Sequence, residues 1–575
     1  MKPLGAPLPP DLKNSVADVR RLFTLSEQRL DRLRLNGATR SNQPQADLNL
    51  WFQITLKSGV DAADFIRNLR SLNSVEIAEP APLPAPPAAI TPDFTANQGY
   101  LNGATAGIHA RDMWTVPGGD GSGITIYDVE YSWNQTHEDL SKANGVALLV
   151  SPGDTASDPF FNNNHGTAVL GELIATNNSL GVTGIAWGSS IGLVPAYTVN
   201  LSYNPANAIL LAVADGSPGD VILLEQQFPV CGLSDYGPVE WINSVFDAIQ
   251  TATANGLVVV EAAGNGNVDL DQAACGTAFN RTVRDSGAII VGAGGAPTGS
   301  SDRERLSFSS YGSRVDLQGW GQSVMTTGYG TYYVDPDNPI NPNRWYSSTF
   351  NGTSSASPIV AGSAAILQGI AKEVGILITP AKMRTVLVQT GSPQLGDTTE
   401  HIGPRPNLQQ ASLTLFVPDL TATNTSSTGS SGLVGVPFTW QVTVANTGTG
   451  SAIFEAGKTI LIDNLPASGA IYGAPTVNNS VNVTNAANIV CTIVANNLSC
   501  TANGANVTLG PITGQFKVSF KVTPTVGGSL RNPRTNGLCR VDPQAVVSES
   551  NENNNNCGQT IIIRKKTYLP LLSKN

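Results

Sequence analysis

The chain has 575 residues, and at about 150 residues per domain this length predicts several domains rather than one. Charged residues make up 13% and aromatic residues 6%, so Asn, Ser, Thr and Gly must supply much of the polar surface. A net charge of −10 without a basic stripe argues against a nucleic-acid partner, and no apolar run is long enough to predict a membrane span.

The first 80 residues predict a small α+β segment. Residues 12–36 carry apolar side chains at near-helical intervals and end at Gly37, which predicts an amphipathic helix with a C-cap. A strand, a helix and a second strand are predicted over 48–56, 61–72 and 74–80. A proline-rich linker over 81–92 then marks a domain boundary that proteases can reach.

Residues 93–416 have the pattern of an α/β domain. Continuously apolar, β-branched runs alternate with helical stretches, which predicts a parallel sheet covered by helices on both faces. From residue 417 the pattern changes to short alternating strands, among them 438–446 and 516–524, separated by Asn, Gly, Ser and Thr turns. This predicts an all-β immunoglobulin-like sandwich over 417–563, followed by a tail over 564–575.

Six cysteines are consistent with three disulfides in an oxidising compartment. If neighbours along the chain pair, the bridges are Cys231–Cys275, Cys491–Cys500 and Cys539–Cys557. Buried free thiols are the alternative. The first residues contain no apolar segment of a signal peptide, so such a peptide is either absent or was trimmed, and we favour trimming and export.

Three motifs carry candidate catalytic residues. His165, one of only four histidines, opens a helical segment, and Ser354 lies at the N-terminus of a long small-residue helix with Pro358 predicted in its first turn. Asp128 ends an apolar strand at the carboxyl edge of the predicted sheet. Each motif alone also has a structural interpretation, as a helix-entry histidine, an N-cap or a turn residue.

Together these motifs resemble the subtilisin-like serine peptidases, whose catalytic residues follow in the order Asp, His, Ser. The segment AAGNG places Asn265 where that family keeps its oxyanion asparagine. The resemblance implies a parallel sheet of about seven strands between helices. It also implies that Ser354 attacks the scissile carbonyl, His165 transfers the proton, Asp128 orients the imidazole and Asn265 stabilises the oxyanion.

The chain departs from the family pattern at two places. Val129 and Glu130 follow Asp128, where the family has a small residue and then Gly. At the edge that binds peptide as an added strand, the predicted substrate-binding residues are Leu224, Glu225, Gln226 and Gly264. Glu225 either favours a basic substrate side chain or is a solvated carboxylate at the rim.

The resemblance implies a secreted, monomeric serine endopeptidase that acts on proteins or peptides and needs no cofactor for its chemistry. Structural calcium is considered at Asp335, Asp337 and Asn338, but a solvated loop is the favoured interpretation of that segment. A hydrogen-bonding role is expected for His137. The N-terminal segment resembles the family's propeptides, and the C-terminal strands resemble the cell adhesion related domain found in bacteria. The alternative function is a catalytically inactive binding protein at the cell surface.

Overall fold

The computed structural model describes residues 8–81, 90–297 and 301–567. The described residues fall into two compact units, divided after residue 88. In this part of the chain, no helix combines the length and the apolarity that crossing a bilayer requires. Most of the proline-rich linker and the end of the predicted tail lie outside the described residues.

The N-terminal unit is a small α+β structure. Its elements are α1 Pro10–Ser15, β1 Val16–Arg21, α2 Glu27–Ser41, β2 Phe52–Leu56 and α3 Ala62–Arg70. The predicted helix over 12–36 is wrong, because β1 interrupts it and pairs antiparallel with β2. The helix predicted over 61–72 is present as α3, whose Phe65 and Leu69 pack with Leu12, whereas 74–80 contains no strand.

The second unit begins with an α/β domain. Its helices are α4 Ala110–Met113, α5 Asn164–Ile174, α6 Pro205–Asp215, α7 Asn243–Ala254, α8 Thr353–Glu373, α9 Pro380–Thr390 and α10 Leu408–Leu415. Its strands are β3 Thr125–Glu130, β4 Ser190–Pro195, β5 Tyr197–Thr198, β6 Ser202–Tyr203, β7 Val221–Leu224, β8 Gln227–Pro229, β9 Tyr236–Pro238, β10 Val258–Ala262, β11 Ile289–Gly294, β12 Leu317–Trp320, β13 Val324–Thr327 and β14 Tyr346–Phe350.

Six of these strands form the central sheet, in the order β12-β11-β10-β7-β3-β4, and every pairing is parallel. The parallel sheet predicted from the apolar runs is thus confirmed, with six strands rather than about seven. The chain passes from β3 to β4 on one side and then to β7 on the other, so the strand order reverses at β3. Ligands of open α/β sheets bind at such a reversal, beyond the carboxyl ends of the strands.

Alternation along the strands separates two cores. Ile126 and Leu223 face the layer that contains α5 and α8, whereas Tyr127 and Leu224 face the layer of α6 and α7. Helix α8 packs against β7, β10, β11 and β12. Its residues from Thr353 to Ala371 are all buried, because Gly, Ala and Ser let the sheet and the neighbouring helices approach closely.

The second unit continues with short, mostly antiparallel strands. They are β15 Leu420–Ser426, β16 Ser431–Leu433, β17 Phe438–Asn446, β18 Ala452–Phe454, β19 Thr459–Asn464, β20 Ala470–Tyr472, β21 Thr476–Val481, β22 Val483–Thr484, β23 Ile489–Val494, β24 Asn497–Ala502, β25 Val507–Leu509, β26 Gln515–Pro524, β27 Gly528–Asn532, β28 Cys539–Val541 and β29 Gln559–Arg564. Strands β17 and β26 pair along their length and bury alternate residues around Trp440.

Three disulfides link the cysteines that are neighbours along the chain. They are Cys231–Cys275 in the α/β domain, and Cys491–Cys500 and Cys539–Cys557 among the C-terminal strands. The pairing considered from the sequence is confirmed, and no described cysteine is a free thiol.

Candidate active site

Ser354 lies at the N-terminus of α8, as the sequence predicts. Gly352 precedes the helix with a φ of 102°, a conformation that favours glycine. The first backbone N–H groups of a helix have no intrahelical acceptor, so they favour negative charge beside the Ser354 hydroxyl. Pro358 is in the second turn rather than the first, and its missing N–H removes the hydrogen bond that the Ser354 carbonyl would accept.

His165 is the second residue of α5 and is held by a carboxylate on the neighbouring strand. Its Nδ1 lies 2.5 Å from Glu130 Oε2, and Glu130 Oε1 accepts a hydrogen bond of 2.8 Å from the Tyr131 backbone N–H. The Phe350 ring lies edge-on, 5.6 Å from the imidazole. With Nδ1 committed to Glu130, Nε2 is the ring nitrogen left to exchange protons.

The charge of Glu130 decides the protonation of His165. Burial acts to lower the pKa of the imidazole, but the charge of Glu130 and the hydrogen bond to it outweigh burial and raise the pKa to about 9. Glu130 itself is 2% exposed. With a pKa of about 9, His165 is mostly protonated in the resting protein at neutral pH.

Asp128 does not occupy the place that the sequence analysis gave it. Its Oδ2 accepts a hydrogen bond of 2.7 Å from Trp133 Nε1, and its Oδ1 has no partner among the described residues. Burial, and then the charge of Glu130, raise the pKa of Asp128 to about 8. The prediction that Asp128 orients His165 is corrected, because β3 continues two residues further and brings Glu130 to the imidazole.

The signal for Glu130 was present in the sequence. Residues i and i+2 of a strand lie on the same face, so Asp128 and Glu130 both face α5 once the strand is extended. The longer reach of the second carboxylate, nearer the edge of the sheet, makes it the partner of His165. The apolar run alone placed the end of the strand too early.

Asn265 follows β10 and is anchored beside the start of α8. Its Oδ1 accepts a hydrogen bond of 2.9 Å from the Thr353 backbone N–H, and its own N–H donates to Gln227 Oε1 over 2.9 Å. These contacts fix the side-chain amide and leave Nδ2 as a donor. The arrangement suits stabilisation of a developing oxyanion.

These side chains open onto one cavity of about 780 Å³. Its lining contains Glu130, His165, Asn265 and Ser354, and Ser354 is 7% exposed. Aromatic rings of Tyr131, Phe160, Tyr236, Phe308, Tyr329 and Phe350 supply much of the remaining wall. The structure thus brings the predicted base, nucleophile and oxyanion donor into one site.

The predicted substrate-binding residues divide into two pairs. Within the described part of the chain, Glu225 and Gln226 line the cavity, whereas Leu224 and Gly264 do not. Leu224 is fully buried against the layer of α6 and α7, on the sheet face opposite α8. Glu225 is 6% exposed and bonds to Ser357, so the solvated rim carboxylate considered for it is wrong.

His137 has the hydrogen-bonding role expected of it. Its Nε2 lies 2.9 Å from the Trp345 carbonyl and its Nδ1 lies 3.2 Å from the Asp139 backbone N–H. Burial lowers the pKa of His137 to about 4, so the ring is neutral and both nitrogens are engaged. This histidine holds the loop after β3 and is not positioned as a base.

The acidic residues considered for calcium are engaged with the protein. Asp335 Oδ2 accepts a hydrogen bond of 2.7 Å from Arg344 Nη1, and Asp335 Oδ1 accepts from the Asp337 backbone N–H. The guanidinium supplies the positive charge that a cation would bring. Across the described residues, no three His, Cys, Asp or Glu side chains are grouped as a metal site.

Comparison with known proteins identifies the family. The sequence model of the subtilase family matches residues 119–432, which is more than half of the chain. Subtilisin BL from Lederbergia lenta is 28% identical over 262 residues, covering 44% of this chain and 77% of that protein. Subtilisin DY from Bacillus licheniformis is 30% identical over 256 residues, covering 44% and 80%. A cold adapted subtilisin-like serine proteinase of known structure is 22% identical, covers 50% of this chain and 89% of its own, and gives a TM-score of 0.37. On the match of the family model, the chain belongs to the subtilase family and is a subtilisin-like serine endopeptidase.

Proposed function

We propose that this peptidase cleaves peptide bonds in proteins through an acyl-enzyme intermediate on Ser354, with His165 as the base and Glu130 as its orienting carboxylate. The observation that carries the proposal is the 2.5 Å contact between Glu130 and His165, in the cavity that Ser354 also lines. Glu130 takes the place that the sequence analysis gave to Asp128. The family match does not favour the alternative of an inactive binding protein.

The proposed mechanism follows from the hydrogen bonds that the site residues already form. Glu130 holds Nδ1–H of His165, so neutral His165 presents Nε2 to the Ser354 hydroxyl and takes its proton as Oγ attacks the substrate carbonyl. The oxyanion that forms is stabilised by Asn265 Nδ2 and by the Ser354 backbone N–H. His165 returns the proton to the leaving amine, and a water molecule repeats the sequence to release the acyl group.

Ser354→Ala tests the proposal directly. Casein hydrolysis is expected to fall by roughly 10⁶ in kcat, and labelling by an organophosphonate should disappear. His165→Ala should abolish labelling while Ser354 is still present. A Ser354→Ala protein that cleaves casein at the parent rate would show that another residue is the nucleophile.

We also propose that the protein is secreted and that its N-terminal unit acts as a propeptide. Three disulfides suit an oxidising compartment, and a parallel sheet needs many non-local contacts that a folding template would help to form. Maturation then requires cleavage within 80–100, a stretch that lies partly outside the described residues. N-terminal sequencing of the active enzyme checks this, since an intact N-terminal unit would contradict it.

The remaining assignments complete the proposal. The segments are a propeptide over 1–80, a linker over 81–92, a catalytic domain over 93–416, an immunoglobulin-like sandwich over 417–563 and a tail over 564–575. The sandwich acts as a spacer or as a module that binds a surface or substrate. The enzyme is a monomer that does not bind nucleic acid, and any calcium it holds is structural.

A further inference from the structure

Glu225 is a buried carboxyl group in the candidate site that the proposed mechanism leaves without a role. It follows β7 directly, next to the point where the strand order of the sheet reverses. It lines the same cavity as His165 and Ser354, yet it is only 6% exposed. A carboxyl group in this position affects the site either by its charge or by its hydrogen bonds.

The hydrogen bonds of Ser357 reveal where a proton must lie. Ser357 Oγ is 2.7 Å from Glu225 Oε1 and 2.8 Å from the Thr353 carbonyl oxygen. A serine hydroxyl has one proton to donate, and both of these partners accept if Glu225 is ionised. One of the two short oxygen–oxygen contacts would then contain no proton and would be repulsive. A proton on Glu225 removes the conflict, because Glu225 donates to Ser357 and Ser357 donates to Thr353.

The surroundings of Glu225 also favour the neutral form. The groups that act on it are Asp128 and Glu130 from β3, His165 and Glu172 from α5, and the Ser357 hydroxyl from α8. Burial is the largest effect. His165 and the Ser357 hydrogen bond act to lower the pKa of Glu225, but burial and the charges of Asp128 and Glu130 outweigh them and raise it well above its usual range. Glu225 Oε2 has no partner in the described structure, which is costly for an ionised oxygen.

We propose that Glu225 is a neutral carboxylic acid in the working enzyme and a positioning residue for the nucleophile, which it holds through Ser357. This inference rests on the proposed role of Ser354. Ser357 lies one helical turn beyond Ser354, so the chain of hydrogen bonds from Glu225 through Ser357 to Thr353 ties the first turn of α8 to the end of β7. Glu225 positions the turn and does not touch the reacting atoms.

Two substitutions separate the hydrogen bond from the space that the side chain fills. Glu225→Gln keeps an N–H donor, whereas Glu225→Met has a similar length and no donor. We expect Glu225→Met to lower kcat about tenfold with little change in KM, and Glu225→Gln to restore most of that loss. Ser357→Ala should lower kcat to the same extent as Glu225→Met, and combining the two should add little.

Ser363→Ala is the matched control for the loss of a hydroxyl. Ser363 is buried on the same helix and donates to the carbonyl four residues earlier over 2.7 Å, and its hydroxyl forms no hydrogen bond to a carboxyl group in the described structure. This variant should keep the kcat of the parent. If Ser363→Ala lowers kcat as much as Ser357→Ala, the effect belongs to the helix and the proposal is overturned.

Infrared difference spectroscopy tests the proton itself without relying on catalysis. The spectrum of Ser354→Ala minus that of Ser354→Ala with Glu225→Gln, at pH 7, should contain the carbonyl stretch of a protonated carboxylic acid. A difference that contains only carboxylate bands overturns the proposal, as does a Glu225→Gln enzyme no better than Glu225→Met. Because the spectra are recorded with Ser354 absent, they stand whether or not Ser354 is the nucleophile.

Discussion

Replacing Glu130 by Gln tests directly whether Glu130 controls the protonation and the orientation of His165. Only neutral His165 can accept a proton from Ser354, and with a pKa of about 9 roughly 1% of the imidazole is neutral at pH 7. The parent kcat/KM should therefore rise about tenfold per pH unit between pH 7 and pH 8, and level off near pH 9. The enzyme is expected to work best in alkaline solution.

Glu130→Gln removes the charge that raises the pKa of His165 and keeps a group of the same size. The pKa of His165 should therefore fall, so the rising part of the pH profile should move to a pH below 9. The plateau should fall by about 10⁴ in kcat, the loss seen when a triad carboxylate becomes an amide and the imidazole tautomer is no longer held. Initial rates on a chromogenic peptide across pH 5 to pH 10, buffered at about constant ionic strength, measure both effects.

Asp128→Asn is the control, because it changes the neighbouring carboxyl group on the same face of β3. Asp128 accepts a hydrogen bond from Trp133 and affects the pKa of His165 less than Glu130 does. The kcat/KM of Asp128→Asn should therefore still rise towards pH 9. The plateau should fall less than about tenfold. The reasoning is refuted if Asp128→Asn shifts the pH dependence of kcat/KM and lowers kcat by about 10⁴, while Glu130→Gln changes neither quantity.

Three further outcomes are expected. Asn265→Ala should lower kcat by about 10² to 10³ with little change in KM, measured on the same peptide, because a donor to the oxyanion is lost. Asp128 has a pKa of about 8 in the folded protein against an ordinary value of 3.8. Between these values the unfolded chain ionises Asp128 while the fold keeps it protonated, so the free energy of unfolding decreases as the pH rises from about 4 to 8. In a Ser354→Ala background, urea unfolding should therefore find Asp128→Asn more stable than its parent by about 4 kcal/mol at pH 7, and no more stable at pH 3. Replacing Cys231 and Cys275 by Ser should cost about 2 to 4 kcal/mol in the same assay, because the disulfide closes a separation of 44 residues.

The helix starts predicted at His165 and Ser354 are confirmed, and both residues line the same cavity. His165 and Ser354 lie within short motifs that carry local signals for the start of a helix, although packing is needed to stabilise α8. The end of β3 depends instead on pairing with β4 and β7, which continues to Glu130 on one side and Val129 on the other. Local apolarity therefore stopped the strand at Asp128 and missed the carboxylate that contacts His165.

Two other predictions were wrong for related reasons. Val16–Arg21 has apolar residues that fit a helix, but pairing with Phe52–Leu56 makes it a strand. Leu224 lies directly before Glu225 at the end of β7, yet the alternation of side chains along the strand turns it towards α6 and α7. Partners distant in the chain decide where a strand begins and ends, and the alternation of side chains decides which face each residue takes.

The burial of α8 bears on the stage of folding at which the candidate active site forms. Nineteen consecutive residues of α8 are buried, so the helix depends on packing against its neighbours. A segment this rich in Gly, Ala and Ser is not expected to form a stable helix in isolation. Ser354 thus acquires its place only after the surrounding layers have closed. Under the proposed mechanism, an incompletely folded chain should therefore lack peptidase activity.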